Sequence, residues 1–259
     1  MRNLNIKYLI YILLGISGVA WFCFGLVSGI DFSKFTEFIK LLPKVAMIDL
    51  LIIGVFVKWA WKWKIFHEWL VPFPNLEGTW EGTIRSTWID PKTEKRIPPI
   101  PCILSIKQSF TKISCVMRTS EMASYSFGEE FRLEGDNQIR QLCYSYTSKP
   151  LPLVTDRSPI HEGTIVFSII GKPVKKLSGH YWTARKTTGE IDLIYFCKEI
   201  LDEMPEDVAQ HPMKDTAIGI GRSLTAPPSH TTQHTGPYCA IRLIRQNQIQ
   251  GNKRPSEIK

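Results

Sequence analysis

The sequence lacks the motifs on which the common enzyme classes depend. It contains no GxSxG nucleophile elbow, no HExxH zinc motif, no Walker loop and no dinucleotide-binding glycine fingerprint. Its adjacent carboxylates Glu129 and Glu130 lie in a strand-like run, where neighbouring side chains point to opposite faces. His230 and His234 have the spacing of a helical metal pair but no helical context or further ligands. We therefore predict that the chain is not an enzyme and has no catalytic residue and no metal site.

The cysteines lack the close spacing of a zinc site or a small disulfide framework. The chain has six cysteines, none of them in a CxxC pair, and no N-x-[ST] glycosylation sequon. Four of them fall in strand-like runs, where buried free thiols are common: Cys102, Cys115, Cys143 and Cys197. This pattern favours a reducing compartment.

The net charge of +8 has no single location that would suit a polymeric nucleic acid. Residues 1–75, 76–200 and 201–259 carry +4, +3 and +1, so no basic stripe dominates. Part of the excess flanks apolar segments, where it would set membrane topology. We expect no polymeric nucleic acid among the partners.

The segment Tyr8–Ile30 has no charged residue over 23 positions. A helix of that length measures about 35 Å, which is enough to cross a hydrocarbon core of about 30 Å. The run is too long for the apolar part of a signal peptide, and no A-x-A-like cleavage site follows it. It predicts a membrane-spanning helix.

A second apolar segment extends from about Leu41 to Trp61 and is interrupted by Lys44 and Asp49. Lys44 can reach the interface, whereas Asp49 lies deeper in the segment. A carboxylate there indicates a function, unless it faces a neighbouring helix or lies closer to the interface than the pattern suggests. We predict a two-helix transmembrane hairpin over residues 1–63 and a linker over 64–75.

Lysine and arginine near the ends of the spans predict the orientation. Arg2 and Lys7 precede the first span, and Lys58, Lys62 and Lys64 follow the second. Both termini are therefore expected in the cytoplasm. Four tryptophans between these lysines predict an interfacial belt: Trp59, Trp61, Trp63 and Trp69.

After Asn75 the hydrophobic period changes from helical to two, and Gly-, Pro- and Asn-rich turns separate eight strand-like runs. The predicted strands are Gly78–Trp88, Cys102–Gln108, Lys112–Ser120, Ser124–Glu134, Ile139–Ser148, Gly163–Ile170, Lys176–Arg185 and Glu190–Lys198. Short links make neighbours antiparallel, and eight such strands fit an up-and-down β-barrel or a sandwich. We predict a membrane-anchored all-β fold, with an eight-stranded antiparallel barrel at 76–200 as a ligand-sensing domain. A mostly disordered tail is predicted at 201–259.

The strand faces mix apolar residues with aromatic rings, hydroxyls and guanidinium groups, which suits ligand binding better than a purely structural core. Flat rings can stack on bases, hydroxyls can bond base edges, and arginine can hold a phosphate. The alternative is a barrel filled by its own side chains. The candidate ligand-binding residues are Trp80, Thr119, Ser124, Ser126, Tyr144, Tyr146, Tyr181, Thr183 and Arg185.

Several motifs in this order resemble the two-transmembrane, β-strand-rich effectors of bacterial CBASS antiphage systems. They are Asn75–Gly82 (NLEGTWEG), Ile106–Gln108, Ile113–Ser126, Leu142–Pro150, His161–Thr164 and Leu177–Gly189, within about residues 5–198. The long segment after Met204 departs from the family pattern.

The resemblance implies a specific function. In that family a nucleotidyltransferase senses phage and makes a cyclic dinucleotide, such as 3′,3′-cyclic GMP-AMP or a related molecule. The cytoplasmic barrel binds it, the protein forms homo-oligomers, and its spans disrupt the inner membrane and kill the infected cell. The expected location is the bacterial inner membrane, as a multi-pass protein with its barrel and both termini in the cytoplasm. The alternative is a membrane-anchored, lipocalin-like binding or scaffold protein for an apolar ligand or a protein partner.

Overall fold

The computed structural model describes residues 6–27, 29, 35–67, 69–91, 93–135 and 137–205. The chain forms two compact units. The first contains the described residues up to Asn75 together with Gln108–Ile113 and Phe131–Ile139. The second contains Leu76–Lys107, Ser114–Glu130 and the described residues from Arg140 onward. The domain limits given above stay a prediction, and tail residues 206–259 lie outside the described part.

Three helices form the N-terminal part of the first unit: α1 (Ile6–Val27), α2 (Phe35–Lys40) and α3 (Leu42–Lys58). Among the described residues, one helix is long and apolar enough to cross a membrane, with its most apolar stretch at Ile10–Val27. Helix α3 has 17 residues and carries Lys44 and Asp49. A second membrane span is therefore not confirmed and stays a proposal.

A polar contact joins the two longer helices. The Ser17 hydroxyl donates to Asp49 Oδ2 at 2.7 Å. The other carboxylate oxygen, Asp49 Oδ1, is buried and has no hydrogen-bond partner among the described residues. Asp49 therefore faces a neighbouring helix, which is one of the alternatives that the sequence left open.

Aromatic residues pack where α3 ends. Trp61, Val71, Phe73 and Phe110 form a buried cluster in the first unit. The rings of Phe73 and Phe131 stack with centroids 5.7 Å apart. Trp61 is only 1% exposed, so its ring lies within this cluster, and the interfacial position of the belt stays a prediction. The side chains of the other three belt tryptophans, Trp59, Trp63 and Trp69, are exposed.

The predicted eight-stranded antiparallel barrel is confirmed. Its strands close in sequence order, β1 to β8, as an up-and-down barrel. Their bounds are β1 Gly78–Ser86, β2 Ile100–Gln108, β3 Ile113–Arg118, β4 Met122–Glu134, β5 Ile139–Pro150, β6 His161–Ile170, β7 Lys176–Thr183 and β8 Thr188–Cys197. Closure leaves no free strand edge and forms an interior that side chains fill or line.

Alternation along the strands produces the barrel core. Trp80 pairs with Leu104 across β1 and β2, and both side chains are fully buried. The Trp80 indole N–H donates to Leu76 O at 3.0 Å, so this large ring is buried with its polar group satisfied. The part of the interior around Trp80 is thus a packed core. Its other large side chains include Leu142, Tyr144, Phe167, Leu177 and Leu193.

The cysteines only partly follow the expectation of free thiols. Cys102, Cys115 and Cys143 are free, and the first two are fully buried. Burial is the main cause that raises the pKa of both buried thiols, which makes them unreactive. Cys197 is disulfide-bonded, so the expectation is wrong for this residue.

Residues 199–202, here called the strap, lie on the outer face of the barrel. Thr79 Oγ1 on β1 donates to Glu199 O at 2.6 Å and accepts from Leu201 N at 3.0 Å. Thr79 is 0% exposed even though its neighbour Trp80 points inward, because the strap covers it.

The strap also binds β2 and β3. Ser105 Oγ donates to Leu201 O at 2.6 Å, and the Arg118 guanidinium lies 3.6 Å from the Asp202 carboxylate. These contacts connect three consecutive strands through the same short segment. The folded barrel unit therefore includes residues beyond β8.

Thr79→Val should destabilise the barrel because it keeps the shape of the side chain but removes the two hydrogen bonds that join the strap to β1. The expected loss is about 1–3 kcal/mol of unfolding free energy. Thermal unfolding of the full chain in detergent measures it, with Thr83→Val on the same strand outside the strap as the matched control. Equal unfolding midpoints for the two variants would contradict a stabilising strap.

Candidate functional site

The barrel interior contains a cavity of about 270 Å³ at the end where strands β1, β3, β5 and β7 finish, called the upper end below. Its wall comes from the ends of strands β1, β3, β5 and β7, from the connections that follow them, and from the first residues of β2, β4, β6 and β8. Its lining residues are Ile84, Ser86, Trp88, Ile97, Ile100, Met117, Thr119, Glu121, Met122, Ser124, Tyr146, Ser148, Arg157, Ser158, His161, Ile165, Tyr181, Thr183, Arg185, Thr187 and Ile191. This barrel is therefore not entirely filled by its own side chains.

Two glycines in the wall hold the cavity open. Tyr146 on β5 pairs with Gly163 on β6, and Tyr181 on β7 pairs with Gly189 on β8. A Cβ atom at Gly163 would lie 2.6 Å from Tyr146 Oη, and one at Gly189 would lie 2.5 Å from Tyr181 Cε1. The rings therefore lie against the wall where glycine leaves room, and any larger residue would push them into the cavity.

Two arginines give the cavity a positive region. Arg185 in the β7–β8 turn is exposed and donates to Ser158 Oγ at 3.3 Å. Arg157 in the β5–β6 loop forms a short ion pair with the Glu121 carboxylate, whose side chain is only 10% exposed. Guanidinium groups with room for a further partner can bind phosphate oxygens in a bidentate way.

Two tyrosines and one histidine of the cavity are neutral at physiological pH. Burial, and next the proximity of Tyr181, raises the pKa of Tyr146, while burial is also the main cause that raises the pKa of Tyr181. Burial is the main cause that lowers the pKa of His161 below its usual value of 6.5, and nearby Arg185 also lowers it. The tyrosines therefore stay hydrogen-bond donors, and the arginines supply the positive charge.

Six of the nine residues predicted from the sequence line this cavity: Thr119, Ser124, Tyr146, Tyr181, Thr183 and Arg185. The other three do not. Trp80 and Tyr144 lie in the packed core below it, 1% and 2% exposed. Ser126 instead accepts a hydrogen bond from Cys115 N at 2.9 Å and donates to Glu129. The ligand-binding role of all nine stays a prediction.

Several lining residues were not among those predicted from the sequence. Arg157 and Ser158 come from the β5–β6 loop, and Glu121 comes from the turn between β3 and β4. Ser148 on β5 is 0% exposed, and Ser124 Oγ donates to its hydroxyl at 3.1 Å. Of these, only Ser148 could have been found by continuing the alternation that predicted Tyr144 and Tyr146.

Tyr144→Phe should leave ligand binding unchanged, whereas Tyr146→Phe should weaken it. The Tyr144 hydroxyl is buried with no hydrogen-bond partner in the described part of the chain, so its removal should not lower the unfolding free energy. The Tyr146 ring lines the cavity, and loss of one neutral hydrogen bond corresponds to about a five- to tenfold weaker Kd. Titration of both variants with a cyclic dinucleotide checks this pair, and equal losses would contradict it.

An up-and-down barrel of eight strands with an open, side-chain-lined end belongs to the class of barrels that bind one small ligand. Residues 71–194 match the family described as Cap15, cyclic dinucleotide receptor domain. The chain is also 29% identical over 136 residues to CD-NTase-associated protein 15 of Staphylococcus schleiferi, which covers 52% of this chain and 68% of that relative.

These matches confirm the resemblance to the β-strand-rich CBASS effectors. Residues 71–194 are thus similar to a receptor domain that is described as recognising cyclic dinucleotides. Both similarities support a CBASS effector that senses a cyclic dinucleotide.

Proposed function

We propose that this chain is an antiphage effector whose cavity binds a cyclic dinucleotide and whose helices then disrupt the inner membrane. The second messenger comes from an associated nucleotidyltransferase. Binding drives homo-oligomerisation, and the assembled helices kill the infected cell. The observation that carries the proposal is the open cavity, in which two arginines, two tyrosines and several hydroxyls converge.

The chemistry of the cavity fits the parts of such a ligand. Tyr146 and Tyr181 offer ring faces for stacking, which is worth about 1–3 kcal/mol per base. Arg185 and Arg157 offer guanidinium groups for the phosphates. A purely apolar ligand would gain less binding free energy from these groups, because it has no anionic group to pair with the arginines.

Ligand binding can act on the membrane helices only through its effect on the assembly equilibrium. A ligand shifts an equilibrium only if it binds the assembled state more tightly than the resting one. We propose that helices α1 and α3 both cross the inner membrane, with both termini and the barrel in the cytoplasm. The apolar stretch Ile10–Val27 supports the first span, and the Ser17–Asp49 contact supports a paired second helix.

Binding of a panel of cyclic di- and trinucleotides to the full chain in detergent tests the proposal. A cyclic dinucleotide should raise the Tm of the barrel and increase the assembly size measured by light scattering. Fatty acids and phospholipids serve as the comparison set, because they test the lipocalin-like alternative. Absence of nucleotide binding at high micromolar concentration would overturn the proposal, and saturable lipid binding would favour the alternative.

A further inference from the structure

The cavity is small for a ligand with two nucleotides. Its volume is about 270 Å³, whereas pockets that enclose drug-sized molecules measure about 300 to 1,000 Å³. An engineered protein cavity of about 150 Å³ holds one benzene ring, so in proportion the barrel interior holds roughly eleven non-hydrogen atoms. That is the size of one purine base without its sugar or phosphate.

The distribution of charge separates the parts of the ligand. The buried lining consists largely of uncharged side chains such as Met117, Ile165 and Ile191, which are at most 5% exposed. A phosphodiester moved among them would lose its hydration without gaining a counter-ion, at a large cost. Arg185 is exposed and the Arg157 side chain is 36% exposed, so the phosphates have their partners at the mouth.

The interior has groups that suit a base. Ser124 and Ser148 form a hydroxyl pair 3.1 Å apart, and Ser148 is 0% exposed. Tyr146 lines the same cavity and carries a further hydroxyl. Hydroxyls both donate and accept, so they can satisfy the edge of a neutral heterocycle as it loses water.

The loop that carries Arg157 also exposes apolar side chains. The β5–β6 loop that carries Arg157 exposes Leu151, Leu153 and Ile160, with Leu153 99% exposed. A second base that does not fit the interior would lie over these side chains, where no enclosing wall limits its size.

We propose that the barrel encloses one purine base of the cyclic dinucleotide and leaves the other outside. The enclosed base lies between Tyr146 and the aliphatic side chains, the phosphates face Arg157 and Arg185, and the second base stays at the rim. Recognition is therefore one-sided: the site selects one base strictly and tolerates a wide range of groups on the other. This inference depends on the proposed function, since it assumes that the ligand is a cyclic dinucleotide.

Ligands with a bulky substituent on one base or on both bases test the inference. The parents are cyclic di-AMP, cyclic di-GMP and 3′,3′-cyclic GMP-AMP, titrated calorimetrically into the full chain in detergent. For a symmetric parent, a single substituent should weaken binding at most about threefold, which includes a factor of two for the lost orientation. Substituents on both bases should weaken it at least tenfold.

Each other outcome has a distinct meaning. If a single substituent costs as much as two, both bases are enclosed, and the inference is wrong while the proposed function stands. If the doubly substituted ligand binds like its parent, neither base is enclosed, and the inference is again wrong. If no cyclic dinucleotide binds, neither these three parents nor the rest of the panel, the proposed function itself fails.

Discussion

Arg185→Ala is expected to weaken cyclic dinucleotide binding by about 10- to 100-fold. A hydrogen bond to a charged group contributes about 1.5–3 kcal/mol, and each 1.4 kcal/mol is a factor of ten in Kd. The arginine lies in the β7–β8 turn with an exposed side chain, and the partner that the structure gives it is the Ser158 hydroxyl. Its removal should therefore leave the barrel folded, with a Tm close to that of the unchanged chain.

Arg85→Ala is the matched control for this prediction. Arg85 is an exposed arginine of the same barrel that does not line the cavity, and its guanidinium lies 3.0 Å from Asp192. An exposed ion pair of this kind contributes about 0–1 kcal/mol, so the control should change neither stability nor binding much. Calorimetric titration and thermal unfolding measure both variants. An unfolded Arg185→Ala barrel would identify this arginine as structural and would contradict the prediction.

Exchange of residues 1–63 for an unrelated two-helix membrane hairpin should preserve ligand binding and abolish cell killing. The cavity is built entirely from residues between Ile84 and Ile191, so the exchange leaves it unchanged. If the helices are the output of the protein, a foreign pair will anchor the barrel without disrupting the membrane. Cell survival during induced synthesis of the ligand measures the effect, with ligand binding of the purified protein followed alongside.

The Ser17–Asp49 contact provides a control within this exchange. A foreign hairpin that carries Ser and Asp at these two positions reproduces the 2.7 Å interhelical hydrogen bond. Such a bond contributes about 0.6–2 kcal/mol to helix association in a membrane. Killing that returns with this variant would assign the output to the polar pair. Killing that is retained with the plain foreign hairpin would reduce residues 1–63 to a tether and contradict the prediction.

The architecture of the barrel could be predicted from the sequence because it depends on local patterns. A period of two with turn residues between the runs gave eight strands, whose bounds differ from the observed ones by a few residues at most. The charge-free run at residues 8–30 predicted the apolar helix α1 in the same way. The second span rests on a weaker pattern, since Lys44 and Asp49 interrupt it.

The candidate site could be predicted only in part, because the period of two reports the face of a side chain and not its depth. Trp80, Tyr144 and Tyr146 all carry rings on the inward face of their strands. Only Tyr146 lies close enough to the open end of the barrel to line the cavity, whereas the other two lie in the packed core. That level depends on how the strands stagger around the closed barrel, which the alternation within one strand does not encode.

The sequence by itself therefore determined which segments are apolar helix, which are strands, and that aromatic and basic side chains share the barrel. Only the tertiary structure decided which of them meet. It brought Arg157 and Glu121 from a loop and a turn without periodicity into the same cavity as Arg185. It also placed the strap across three strands. The physical reason is that local patterns follow from neighbours in the chain, whereas a cavity is defined by residues that only barrel closure brings together.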